Sequence, residues 1–244
     1  RLPGFFDMMV VDAPCSGSGM FRKDPNAVNE WSENAVALCS QRQQRILADS
    51  YTTLNNGGLL IYSTCSYSIE ENEHIADWLC ETFNLESIRI PVSETWGIVE
   101  TRSEKHQAWG YRFYPNKVRG EGFFICCFVK RDANPTTAAS SKTKLEFLNK
   151  VEEQVVSPWL RSSESLQLFK LNSDILAFPQ QHLDSLKVLQ SKLYLRKAGT
   201  RVGRIAGKDL VPDHELALSH ILNPQVQRVN LNREQALSYL KKED

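Results

Sequence analysis

The chain has 244 residues, 41% hydrophobic and 24% charged, and its 29 Lys+Arg balance 29 Asp+Glu. That composition excludes a disordered chain, a collagen-like repeat and a disulfide scaffold, and the length predicts one large domain or two small ones. The longest unbroken apolar run, residues 123–129, falls far short of the ~20 residues of a membrane helix, so a soluble chain with no membrane partner is expected.

Residues 5–11, FFDMMVV, are almost continuously apolar, which predicts a strand buried on both faces. Residues 34–54 predict a helix whose broad apolar face draws on Val36, Leu38, Ile46, Leu47, Tyr51 and Leu54, with Gly57 and Gly58 as its stop. Residues 59–63 are the next buried strand. Ser68 and Glu71 have the spacing of a capping box for a helix over 69–83. Residues 88–91 and 122–130 supply later strands. This alternation predicts a parallel sheet with helices on both faces, in which ligands sit beyond the carboxyl ends of the strands.

Residues 131–143, RDANPTTAASSKT, carry no apolar periodicity and read as a linker. The divisions expected are therefore 1–131, a linker over 132–143, and a small mixed α/β region over 144–244. In that region, residues 145–155 predict a helix broken by Ser157-Pro158. Residues 166–171 and 175–178 predict strands around an Asn172-Ser173-Asp174 turn, with shorter strands at 193–195 and 202–205 and helices at 214–222 and 232–241. Zero net charge conceals an asymmetry: residues 1–130 hold 12 Lys+Arg against 16 Asp+Glu, and residues 131–244 hold 17 against 13. Between 187 and 208 stand Lys187, Lys192, Arg196, Lys197, Arg201, Arg204 and Lys208 with no acidic residue. Ordinary surfaces mix signs, so this run predicts phosphate contact.

Six cysteines, at 15, 39, 65, 80, 126 and 127, form no CxxC pair and have no histidine at ligand spacing, so no metal site and reduced, intracellular thiols are expected. Cys126 and Cys127 are adjacent on a strand and face opposite sides. Cys39 and Cys80 read as helix core. Cys15 and Cys65 differ from these: each follows a strand, in Asp12-Ala13-Pro14-Cys15-Ser16-Gly17-Ser18-Gly19 and in Ser63-Thr64-Cys65-Ser66-Tyr67-Ser68. Two thiols at neighbouring strand ends, with Asp12 at one tip, make a candidate site for nucleophilic chemistry.

DAPCSGSG and STCSYS resemble the two cysteine motifs of the NOL/NOP/Sun family of RNA cytosine-5 methyltransferases, in particular its bacterial RsmF-like members. Gly19–Pro25 (GMFRKDP), Arg42-Gln43-Gln44-Arg45, Gly110–Pro115 (GYRFYP) and Gly120–Phe124 (GEGFF) extend the resemblance, with Asn116 where bacterial relatives often carry His. It implies methylation of carbon 5 of cytosine in RNA, most readily ribosomal RNA, with transfer RNA as the alternative substrate. Cys65 is implied as the nucleophile, Cys15 as the group assisting release, and Asp12 as a contact to S-adenosylmethionine and target base. Chemistry alone does not order the two thiols, and the assignment follows the resemblance. The implied fold is the C-terminal half of a Rossmann-like sheet. The family's glycine-rich loop and the acids at its next two strand ends have no counterpart, so the cofactor site is expected to lie largely outside this sequence. Residues 193–208, LYLRKAGTRVGRIAGK, followed by 212–218, PDHELAL, resemble the accessory RNA-binding region, which implies Lys192, Arg196, Lys197, Arg201, Arg204 and Lys208 as RNA contacts, and the last residues resemble the start of a PUA-like domain. A cytoplasmic, monomeric protein is expected. The rival readings are a non-catalytic RNA-binding piece or pseudoenzyme, and a hydrolase pairing Cys65 with His74 or His106.

Overall fold

The computed structural model describes residues 2–131, 141, 143–161 and 165–242. Two compact units divide the chain, Arg1–Ala139 and Ser140–Asp244. The linker expected over 132–143 lies almost wholly outside the described residues.

The first unit runs β1 (Phe6–Asp12), α1 (Pro25–Glu30), α2 (Glu33–Tyr51), β2 (Leu54–Thr64), α3 (Glu73–Thr82), β3 (Leu85–Ser87), β4 (Val99–Arg102), β5 (Trp109–Phe113) and β6 (Phe123–Lys130). Its strands lie in the order β1-β2-β6-β5-β4, with β3 on β6. Only β1 and β2 are parallel; β6 enters antiparallel between β2 and β5, and β4 is antiparallel to β5. The expected all-parallel sheet is thus a mixed one. The fold class remains α/β, with Leu47 of α2 and Ile75 and Leu79 of α3 packed with Leu60, Tyr62, Phe124 and Phe128 of the sheet.

Four local expectations change. β1 pairs only with β2 and one of its faces is uncovered: Met8 and Val10 are 57% and 62% exposed rather than buried, while Met9 and Val11 on the other face pack on the core. The α2 helix ends at Tyr51, before the two glycines; Gly57, at φ +77°, serves a bulge where the register jumps from Phe6↔Leu54 to Met8↔Leu59. The helix expected over 69–83 is a single 3-10 turn, Ile69–Glu71, followed by α3, because Asn72 takes a non-helical backbone (φ −119°, ψ −93°). Ser68 makes no capping bond, and Glu71 is directed elsewhere. The strand expected over 88–91 falls instead at 85–87.

The second unit contains β7 (Glu146–Phe147), α4 (Lys150–Val156), β8 (Leu166–Leu171), β9 (Asp174–Pro179), α5 (Leu183–Lys192), β10 (Thr200–Ala206), β11 (Asp209–Pro212), α6 (His214–Leu218) and α7 (Arg233–Lys241). The sheet is antiparallel in the order β11-β10-β9-β8-β7. Successive β9 residues serve opposite faces: Ile175 and Ala177 join Val156 and Leu216, while Leu176 joins Phe169 and Leu186. Asn172 turns the β8–β9 hairpin at φ +59°, a conformation asparagine tolerates well. The helix expected from 145 starts at Lys150, where Asn149 and Glu152 form a reciprocal capping box. Residues 193–195 are irregular rather than a strand, and α6 stops at Leu218.

Candidate active site

The parallel register sets Val11 beside Tyr62 and Asp12 beside Ser63. The ladder extends one step further through Ala13 N–H to Ser63 O, 2.9 Å. Both chains then leave the sheet together. Gly19 N–H donates to Cys65 O at 2.8 Å, and Gly122 N–H donates to Gly19 O at 3.1 Å. A Cβ on Gly19 would lie 2.4 Å from Gly122 O and 2.7 Å from Cys65 O. That approach explains why glycine stands at 19. Three segments distant in sequence are in backbone contact there: PCSGSG, TCSYS and GEGFF.

The close approach brings Cys15 Sγ to 3.1 Å from Cys65 Sγ. The two thiols are unequal. The hydrogen bond from Cys15 lowers Cys65 to about 7, against its partial burial and the nearby charges of Asp12 and Glu71. Cys15, as the partner that keeps its proton, is raised, chiefly by that same bond and then by burial. A pair poised this way has one thiolate near neutral pH and one thiol beside it. Asp12 is exposed at the strand end and accepts from Ser63 Oγ at 3.0 Å.

Below the thiols lies a polar layer that sequence reasoning missed. Glu71 is fully buried and accepts from Ser16 N (2.8 Å), Ser16 Oγ (2.5 Å), Ser66 Oγ (2.6 Å) and Gln43 Nε2 (3.1 Å). Asn72 donates to Ser66 O at 2.8 Å and accepts from Thr64 Oγ1 at 2.6 Å. Glu73 and Arg112 form a buried ion pair, and Arg112 also donates to Tyr67 O at 2.9 Å. Gln43 carried a usable signal. It stands seven residues after Val36 and four before Leu47 on the inward stripe of α2, where a polar residue asks for a partner. Glu71 carried none beyond its capping-box spacing.

The profile of the family described as 16S rRNA methyltransferase RsmB/F matches residues 2–129. The chain belongs to that family. Over its whole length it is 26% identical to Ribosomal RNA small subunit methyltransferase F of Shigella flexneri serotype 5b and of Escherichia coli O6:H1. It spans 51% of the length of each of those relatives. Among solved structures, NSun6 from Pyrococcus horikoshii with SFG is 25% identical, with a TM-score of 0.42 over 50% of this chain and 29% of its own. A methyltransferase homolog from the same organism is 29% identical, with a TM-score of 0.41 over 51% of this chain and 39% of its own.

Within this RsmB/F chain, Asp12, Cys15 and Cys65 share one end of the β1–β2 pair. The histidines do not join them: His106 N–H donates to Asp77 at 2.8 Å, and His74 lies exposed on α3 beside Asp77, Trp78 and Glu81. Among the described residues no hydrogen bond links a histidine to either thiol. Trp109 opens β5, and the guanidinium groups of Arg102 and Arg89 lie over its ring, 3.4 Å and 4.6 Å from the centroid. No metal-binding group of His, Cys, Asp and Glu occurs among the described residues, and none of their helices is long and apolar enough to cross a membrane.

The basic run belongs to the second unit, and there the expectation of uncompensated charge is corrected. Acids remote in sequence reach it: Arg201 pairs with Asp174 at 3.0 Å and lies 3.8 Å from Asp213, while Lys197 pairs with Glu215 at 3.0 Å. Lys187 pairs with Asp184 at 2.8 Å. Lys192, Arg196, Arg204 and Lys208 are exposed and form no ion pair among the described residues. Arg196, Lys197 and Arg201 line a bowl of about 400 Å³ together with Tyr194, Asp174 and Glu215.

Proposed function

We propose that this chain supplies the thiol chemistry of an S-adenosylmethionine-dependent methylation of carbon 5 of cytosine in RNA, ribosomal RNA being the substrate its relatives' names favour. The observation that carries the reading is the 3.1 Å contact between two unequal thiols at the ends of the parallel pair. Carbon 5 of cytosine is a weak nucleophile. A Cys65 thiolate adding to carbon 6 would saturate the 5,6 double bond and move its electron pair toward carbon 5, which can then form the new carbon–carbon bond. Transfer of the carbon-5 proton to a base such as water would free its bonding pair to re-form the 5,6 double bond, and the Cys65 sulfur would leave with the electrons of the carbon–sulfur bond. Cys15, holding a proton 3.1 Å away, would protonate or steady the departing sulfur. Asp12, exposed at the strand end, would orient the base.

The methyl donor supplies an electrophilic methyl group. The fit of the described residues to it is partial: Asp12 offers a contact, but the loop after β1 is committed elsewhere. Gly19 there is packed against backbone, and Gly17 starts a 3-10 turn. The remaining contacts are therefore assigned to the half of the relatives' length that this chain does not span. The accessory role proposed for the second unit is phosphate contact through Lys192, Arg196, Arg204 and Lys208, with Lys197 and Arg201 acting from within ion pairs.

Trapping tests the reading. In the full-length protein, Cys65→Ala should abolish both methyl transfer and the covalent adduct with RNA containing 5-fluorocytosine. Cys15→Ala should keep the adduct and slow its release. Loss of the adduct in Cys15→Ala with retention in Cys65→Ala would reverse the roles.

A further inference from the structure

We infer that Glu71 is a positioning residue for this reaction, its carboxylate clamping the residue after each thiol so that Cys15 and Cys65 stay in contact. The inference rests on the proposed two-thiol reading. Ser16 follows Cys15 and Ser66 follows Cys65. One oxygen of Glu71 accepts from Ser16 N and Gln43 Nε2, and the other accepts from Ser16 Oγ and Ser66 Oγ. Gln43 Nε2 also donates to Pro14 O at 3.1 Å, so the residue before Cys15 is held by the same network. The clamp is itself anchored: Tyr62 of β2 donates to Glu71 O at 2.7 Å, and the neighbouring Asn72 grips Ser66 O and Thr64 Oγ1.

The chemistry of the site calls for a carboxylate. Four donors converge on it, and a carboxylate accepts on both oxygens without offering a hydrogen. The bonds are buried, where leaving one unmade costs the desolvation of the orphaned group. Glutamine has the same shape but only one acceptor oxygen, so its NH₂ faces either Ser16 N–H and Gln43 Nε2, which cannot accept, or the two serine hydroxyls, which must turn to accept from it. Such a variant has a way to remain folded, because the Ser16 and Ser66 hydroxyls can accept from the new amide. The fold would survive, and the charge-assisted clamp on Ser16 and Ser66 would weaken to neutral hydrogen bonds.

The readout is the pH dependence of thiol alkylation on this chain, with Cys15 and Cys65 resolved by peptide mass. It requires neither RNA nor methyl donor, so it stands or falls independently of the trapping experiment. In the wild type, Cys65 should react with a midpoint at about 7 while Cys15 stays protected. In Glu71→Gln the midpoint should climb toward the free-thiol value, about 8.5, lowering the Cys65 rate at neutral pH by roughly tenfold and opening Cys15 to reagent. The loss of the Cys15 bond outweighs the removal of the Glu71 charge, since that bond is the largest influence on Cys65 and the charge the smallest of those given. Glu71→Asp keeps both oxygens but is shorter, and should fall between the two. Should Glu71→Gln not fold, Ser66→Ala, which deletes one donor and leaves the carboxylate, must move the midpoint in the same direction. A folded Glu71→Gln or Ser66→Ala with the wild-type profile would overturn the proposal.

Discussion

At the scale of single residues, the two thiols owe their inequality to one contact. Cys65 is held at about 7 mainly by the hydrogen bond from Cys15. Below that pH it is protonated and inert toward alkylation; above it the thiolate accumulates and the rate should level off. Cys15→Ala removes the donor and leaves the burial and the opposing charges. The Cys65 midpoint should then rise toward about 8.5, as measured by the pH profile of iodoacetamide labelling; a profile unchanged or shifted downward would show that another group sets the value. The thiols themselves were legible in sequence because each sits within a few residues of a strand end, in a local motif. Glu71 was not. Its partners lie 5, 28 and 55 residues away, and in sequence the same glutamate has the spacing of a cap. No local pattern distinguishes a carboxylate that caps a helix from one that turns inward.

At the scale of elements, the site is braced by the pair between Glu73 at the start of α3 and Arg112 in β5. Their side chains are 6% and 10% exposed. Thr101 of β4 also donates to Glu73, at 2.8 Å, and Arg112 reaches the TCSYS turn through Tyr67 O. Arg112→Met would leave Glu73 buried without its cation, which costs about 3–5 kcal/mol. Adding Glu73→Leu should recover most of that loss, since an apolar pair of similar volume needs no compensation. Urea unfolding of the two single variants and the double checks this, and a double variant no better than Arg112→Met would refute it. A second expectation concerns Gly122, where a Cβ would lie 2.2 Å from the Tyr67 ring. Gly122→Ala should displace that ring, lower the melting temperature and raise labelling of Cys65. Strand order was the least legible feature here. Chain order puts β1 and β2 side by side correctly, but β6 inserts between β2 and β5 from far along the chain, and β4 and β5 are short strands without a clean apolar pattern. β1 is apolar enough for a central strand, yet within this chain it is paired on one side only.

At the scale of the whole molecule, charge separates by unit, with the acidic excess in the first 130 residues and the basic excess in the rest. The sequence alone presents seven cations from 187 to 208 as one positive field, but folding divides them. Lys187, Lys197 and Arg201 are matched by Asp184, Asp174, Asp213 and Glu215, while Lys192, Arg196, Arg204 and Lys208 face solvent unpaired among the described residues. A cation already neutralised by a carboxylate gains less from a phosphate, and releasing it leaves the acid to repel the RNA. The unpaired cations should therefore carry the salt dependence. Replacing Arg196, Arg204 and Lys208 together by Ala should flatten the slope of log K against log salt by about two to three units, at ~0.7–0.9 per lost phosphate contact. Replacing Lys197 and Arg201 should change that slope less and destabilise the fold more, because Asp174 and Glu215 lose their partners. Phosphates are common to all RNA, so specific and unrelated RNAs should weaken by similar factors in the triple variant. The methylated position should not move, since under the proposed reading the target base is held at Asp12, Cys15 and Cys65. Filter binding across a salt series, with unfolding curves for both variants, separates these outcomes. An unchanged slope in the triple variant would mark the run as an idle surface, and a shifted methylation position would mark it as a base reader.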